Sequence, residues 1–317
     1  MTQDNKKDSL HQKSPSEKKI LSADGVEITS KPIKSTHREK ERLEEDQRYI
    51  PVIIKRTDEV KKHPDDILNR AIYEGLEQLK RARPSLFLSA FSAGIILGSY
   101  IIAVAAVASG LEGITQEVLQ RLAIAVIYPA GFIVCIMSGT QLFTEQTATA
   151  LYPILDQRES WRKLIILWIV VLAGNFAGTF FISILIAQIE PIIGISSGIE
   201  LIVQHLLLPD ASLIFLSSVI AGAMMAQVGW LVLATPPQTT QMISVYIATF
   251  VIGVGGLHHS IAGSAEIFLA FFLDVDFPRD KVLHFFILSP LGNLVGGTTL
   301  VAILNYGHVR KTQKNRQ

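Results

Sequence analysis

Cysteine is almost missing from this chain of 317 residues. The one present, Cys135, sits inside an apolar run, so no intrachain disulfide can form and redox compartment cannot be read. The N-terminus lacks the apolar core of a secretory signal. No cleaved signal is expected, and the first apolar run would serve as an uncleaved one. No basic patch interleaved with aromatics occurs, and the net charge of +1 gives no sign of a nucleic-acid partner. No HExxH is found, and Ser260 beside His258 and His259 would rarely reach catalytic geometry, so no enzyme is expected. The two histidines are adjacent and would diverge, with no third ligand evident, so neither metal nor cofactor is predicted.

What is present is apolar and segregated. Hydrophobic residues make up 49% of the chain, and the mean hydropathy is +0.36. Lys, Arg, Asp and Glu concentrate before residue 84. This pattern predicts an all-α multi-pass membrane protein with a cytoplasmic extension. Six apolar segments follow: Leu86–Ser109, Leu122–Leu155, Leu164–Ile189, Leu213–Thr235, Met242–Leu273 and Val282–Tyr306. About 20 helical residues cross the hydrocarbon core. Segments two and five are about half as long again, and each is interrupted, by "SGTQLFTEQT" and by "GVGGLHHSIAGSAE".

Basic residues near the segment ends set the orientation. Lys80, Arg81, Arg83, Arg158, Arg162, Lys163 and Arg310 fall on one side; Arg121, Arg279 and Lys281 fall on the other. Both termini are therefore expected in the cytoplasm of a cell with this chain in its inner (plasma) membrane. The connection "EPIIGISSGIELIVQHLLLPD", without Lys or Arg, should face outward.

The halves repeat. "GNFAGTFFISIL" at Gly174 matches "GNLVGGTTLVAIL" at Gly292, and "FLSAFSAG" at Phe87 matches "FLSSVIAG" at Phe215. Segments one to three thus map onto four to six. Three spans per repeat would turn the second copy upside down, an arrangement that points to a transport path near the midplane. Gly174, Gly178, Gly292 and Gly296 are small-xxx-small pairs for close helix packing. Asn175 and Asn293 are expected to bond broken-helix backbone, as packing glue or as pore lining.

A broken helix leaves N–H groups that favour an anion, so the cargo is expected to be a small anion or weak acid held by them. His258 and His259 would stand in that path, where imidazole can exchange a proton or a hydrogen bond. Glu145 and Glu266 follow the breaks. Helix capping and proton relay are both open readings for them.

"GTQLFTEQT" and "HHSIAGS" resemble the formate/nitrite transporter family, over residues 65 to 307. The glutamates and the long polar N-terminal tail look most like its YfdC-like branch. The resemblance implies an aquaporin-like protomer with broken second and fifth helices, assembled as a pentamer. It implies channels or proton-coupled carriers for small monovalent anions. By motif match, His259 is the central histidine, Thr144 its partner across the pore, and His258 an extra, with Ser260 following. Counting along the helices puts Tyr128, Phe132, Leu142 and Phe143 at apolar constrictions and has Ile252 close the cytoplasmic side. The lysine that formate and nitrite members usually carry before the fourth span is absent between Glu190 and Gln227. A neutral-solute pore or a non-transporting sensor or scaffold are the alternatives, though neither break carries the Asn-Pro-Ala of water channels.

The expected organisation is a polar, largely disordered cytoplasmic tail over 1–63, an amphipathic cytoplasmic helix over 64–83, a six-span transport domain over 84–307 and a basic C-terminus over 308–317. In the amphipathic helix Ile67, Leu68, Ile72, Leu76 and Leu79 share one face. That face would anchor at the membrane surface or act under the pore.

Overall fold

The computed structural model describes residues 63–314 apart from 112, 114 and 115; the tail expected to be disordered lies outside the described residues. All described elements are helical. Helix α1 is Pro64–Lys80. Span one comprises α2 (Arg83–Ser99) and α3 (Ile101–Gly110). Span two comprises α4 (Glu117–Ile127) and α5 (Pro129–Met137), then, past the break, α6 (Phe143–Thr149) and α7 (Tyr152–Leu155). Span three is α8 (Trp161–Gln188). A short α9 (Glu190–Ile193) and α10 (Ser196–Leu207) lead to span four, α11 (Ala211–Ala234). Span five is α12 (Gln238–Gly255) and α13 (Ser260–Phe272), bent by 53° at its break. Span six is α14 (Val282–Val295), a wider π-helical stretch Gly296–Ile303, and α15 (Leu304–Lys314). Five helices are long and apolar enough to cross a membrane, and the bent pair makes a sixth.

Contacts sort the helix ends into two groups. At one end the Arg70 guanidinium donates to Leu233 O at 3.5 Å, while Asp156 takes Tyr306 Oη at 3.2 Å and the Arg310 guanidinium. Burial raises the Asp156 carboxyl, but bonds from Arg158 and Arg310 outweigh it and hold the group below its ordinary value. At the other end Gly198 N donates to Ser109 Oγ at 2.9 Å, and Lys281 Nζ donates to Leu208 O at 2.7 Å. The groups match the alternation expected from the basic residues.

Helix α10 was not anticipated: the segment reads as a connection because it is bounded by Gly and Pro. Its Ile199, Val203 and Leu207, one turn apart, are fully buried. The face of α1 carrying Ile67, Leu68, Ala71 and Ile72 is buried against the bundle, and a Cβ on Gly75 would overlap Thr149 O.

The repeated sequences make the same contact twice. A Cβ on Gly174 would stand 2.9 Å from Phe87 O, and one on Gly292 2.6 Å from Phe215 O. One turn on, Gly178 faces Phe91 O and Gly296 faces Val219 O with no room for a methyl group. Spans one and three, and four and six, therefore touch backbone to backbone. In lipid, where no hydrophobic force draws helices together, such packing is a main source of association.

Gly178→Val and Gly296→Val should each destabilise the folded protein by about 2 kcal/mol or more and broaden its gel-filtration peak. Gly110→Ala, where a Cβ meets nothing within 4 Å, should match the parent. A Gly178→Val protein as stable as the parent would refute the close crossing.

Candidate functional site

The breaks meet at the middle of the molecule, and each turns on a glycine in the left-handed region: Gly139 at φ 69° and Gly256 at φ 57°. Beyond each break a new helix begins, and an asparagine from a neighbouring span holds it. Asn175 Oδ1 accepts from Phe143 N at 2.9 Å, and its Nδ2 donates to Ala90 O and Gln141 O, both at 2.8 Å. Asn293 Oδ1 accepts from Ser260 N at 2.9 Å, and its Nδ2 donates to Ser218 O at 2.7 Å and His258 O at 3.1 Å. Each asparagine is fully buried and ties three elements together. The packing reading of Asn175 and Asn293 thus describes their place; neither lines a cavity.

His259 caps α13. Its Nδ1 accepts from Ala262 N at 3.2 Å, and its Nε2 lies 2.7 Å from Thr144 Oγ1. Since Nδ1 must offer its lone pair to an amide, the hydrogen sits on Nε2 and Nε2–H donates to Thr144. The partners assign a neutral imidazole, and protonating Nδ1 would cost the cap. Phe132 stands edge-on to the ring at 4.8 Å, with Tyr128 5.2 Å from Phe132. The two residues paired from the sequence motifs, Thr144 and His259, are thus brought together.

A cavity of about 140 Å³ reaches His259 from the end that carries α10. Arg121 and His205 stand at its mouth, 3.5 Å apart, and Glu117 holds Arg121 at 2.6 Å. Tyr128, Ile252 and Glu266 line it further in. A smaller cavity of about 20 Å³ adjoins, shared by Tyr128, Phe132 and Glu266. Sequence reasoning missed Arg121 and His205 as lining residues. The signal for His205 would have been its place on the unrecognised α10.

Other expectations need correction. His258 lines neither cavity: its Nδ1 lies 2.9 Å from Ser217 Oγ and its Nε2 2.9 Å from Leu206 O, beside Phe285. Adjacent residues at a break point apart, so only one of the pair can face the cavity. Ile252 lines the cavity at the α10 end, together with Arg121 and His205, not the end expected to be cytoplasmic. Glu145 lies against Gly229 on α11 and lines neither cavity. Ser260 is fully buried, with its backbone N–H held by Asn293. Leu142 and Phe143 are buried at the first break. Of the N–H groups expected to cradle an anion, Phe143 N and Ser260 N are taken by the asparagines and Ala262 N by His259. Among the described residues no cluster of three His, Cys, Asp or Glu could hold a metal ion.

Paired asparagine-held breaks inside a six-span helical bundle define a membrane transport protein of the channel type. The formate/nitrite transporter profile matches residues 65–307, and the chain belongs to that family. It is 28% identical over 249 residues to the inner membrane protein YfdC of Escherichia coli, covering 77% of this chain and 78% of that one. It is 27% identical over 243 residues to formate-nitrite transporter 3 of Toxoplasma gondii, covering 73% of this chain and 48% of that one. A solved FNT family ion channel superposes with a TM-score of 0.68 at 16% identity, over 77% of this chain and 99% of that one. A pentameric formate channel with formate bound superposes at 0.59 and 20% identity, over 73% of this chain and 98% of that one.

Nitrogen NMR of His259 at neutral pH should show Nδ1 unprotonated and Nε2 protonated, and Thr144→Val should move the Nε2 signal alone. A doubly protonated ring would refute the assigned hydrogen-bond pattern.

Proposed function

We propose that this chain carries small monovalent anions or their weak acids, of the formate/nitrite type, across the inner membrane, with proton-linked passage past His259. The observation that supports this reading is the Thr144–His259 bond of 2.7 Å at the meeting of the breaks, reached by a cavity from one end. Arg121, paired with Glu117, and His205 stand at the mouth, where they offer N–H donors to an entering anion. Deeper in, a bare charge would face an apolar constriction at Tyr128 and Phe132, where desolvation is too costly. The anion therefore takes a proton from the cavity water and crosses as the neutral acid. His259 directs that step: a cargo that displaces the Thr144 hydroxyl can take the Nε2–H bond without disturbing the cap at Nδ1.

The two halves form an inverted repeat on this reading, with both termini and α1 on the cytoplasmic side. Five protomers assemble, each with its own pore, by analogy with the pentameric formate channel. A neutral-solute pore is the second reading, favoured by the same capping of the break N–H groups.

In liposomes, formate or nitrite uptake should rise as pH falls and vanish in His259→Phe, which should still assemble at the parent's size. Uptake that is independent of pH, or untouched by the substitution, would sink the proton-linked mechanism. Uptake of uncharged solutes alone would favour the second reading.

A further inference from the structure

Glu266 is a carboxylate in the wrong place for an anion path. It sits on α13, 5% exposed, and lines both cavities. It accepts no hydrogen bond and pairs with no cation among the described residues. A buried charge without a partner is costly, so such a group has to face a cavity. The groups that face it are Tyr128 from the α4–α5 junction, Tyr100 from the α2–α3 junction, and His259 at the N-cap of its own element. At the mouth of the larger cavity stand Glu117 and Arg121 from α4 and His205 from α10. Arg121 is held by Glu117, which leaves the floor of the cavity without a compensating positive charge.

Any cargo that reaches His259 from this end passes Glu266. Ionised, Glu266 repels a bare anion across a low-dielectric gap; a carboxylate in this position lowers anion occupancy on the order of tenfold or more. Protonated, it offers one O–H donor and one carbonyl acceptor, which suit the complementary pair on a small carboxylic acid. We propose that Glu266 is a selectivity residue, which refuses the bare anion and admits the neutral weak acid to the cavity before His259. This deepens the weak-acid reading above and rests on it for the cargo.

Full-length protein in liposomes tests this, with formate as the probe and two readouts, uptake and voltage-driven current. The parent should take up formate without current. Glu266→Gln should carry formate current at neutral pH, on the order of tenfold above the parent, with a flattened pH profile. Glu266→Asp should behave as the parent, and Glu266→Ala should reproduce the current if the Gln variant does not assemble. Parent-like current and pH profile in both neutral variants would overturn the proposal while leaving the transport reading intact. Formate current in the variants with no uptake by the parent would support the barrier and overturn formate transport. Silence from all of them, correctly assembled, would overturn both.

Discussion

Backbone that leaves helical geometry inside a bilayer must find hydrogen bonds within the protein, because lipid supplies none. Two asparagines answer that demand here. Each takes the first N–H of a new helix and two carbonyls from other segments. The requirement explains the local sequence. An amide this short reaches a neighbouring break only if its helix lies very close, and the glycine before each asparagine removes the side chain that would hold the helices apart. Gly-Asn is one device, in which the first residue brings the backbone near and the second bonds to it.

That solution shapes the chemistry. A broken helix in a membrane is commonly an anion site because its N–H groups are free. Here the first N–H of each new helix, and Ala262 N in the second, are used to hold the breaks, so side chains take a larger part in the electrostatic character of the cavity. Arg121 and His205 stand at the mouth, Glu266 deeper, and His259 at the joint. His259 is also a cap, so its orientation is fixed by the same backbone demand and only Nε2 is left for the path.

Much of this was legible in the sequence. The six spans, both breaks, the doubled Gly-Asn and the Thr144–His259 pairing could all be read, because each depends on length, on helix-weakening residues or on a motif. Facing could not be read. Lipid and core both accept Leu and Ile, so apart from short stripes such as Asn175, Thr179 and Ser183 little marks the inside of a span. Ile252 was accordingly put at the wrong end, and Glu145 and Glu266 looked alike. His258 and His259 looked alike for a related reason: sequence adjacency hides the divergence of side chains at a bend. Helix α10 escaped because its buried stripe is short and its ends read as turns.

The scaffold is doubled but its chemistry is single. Phe143 N and Ser260 N occupy the same position in the two halves, each bonded to its asparagine. The residue before them is Leu142 in one half and His259 in the other. Leu142 has no side-chain cap to give, while His259 bonds back to Ala262 N. The repeat thus supplies two equivalent frames, and one substitution within them makes one junction apolar and the other polar. A path through two identical junctions would treat its ends alike. This one presents a histidine and, a turn or two along α13, a carboxylate, both opening toward the end with Arg121 and His205. The polar environment is built on one side of the joint, and the physical asymmetry between its two ends follows from that placement.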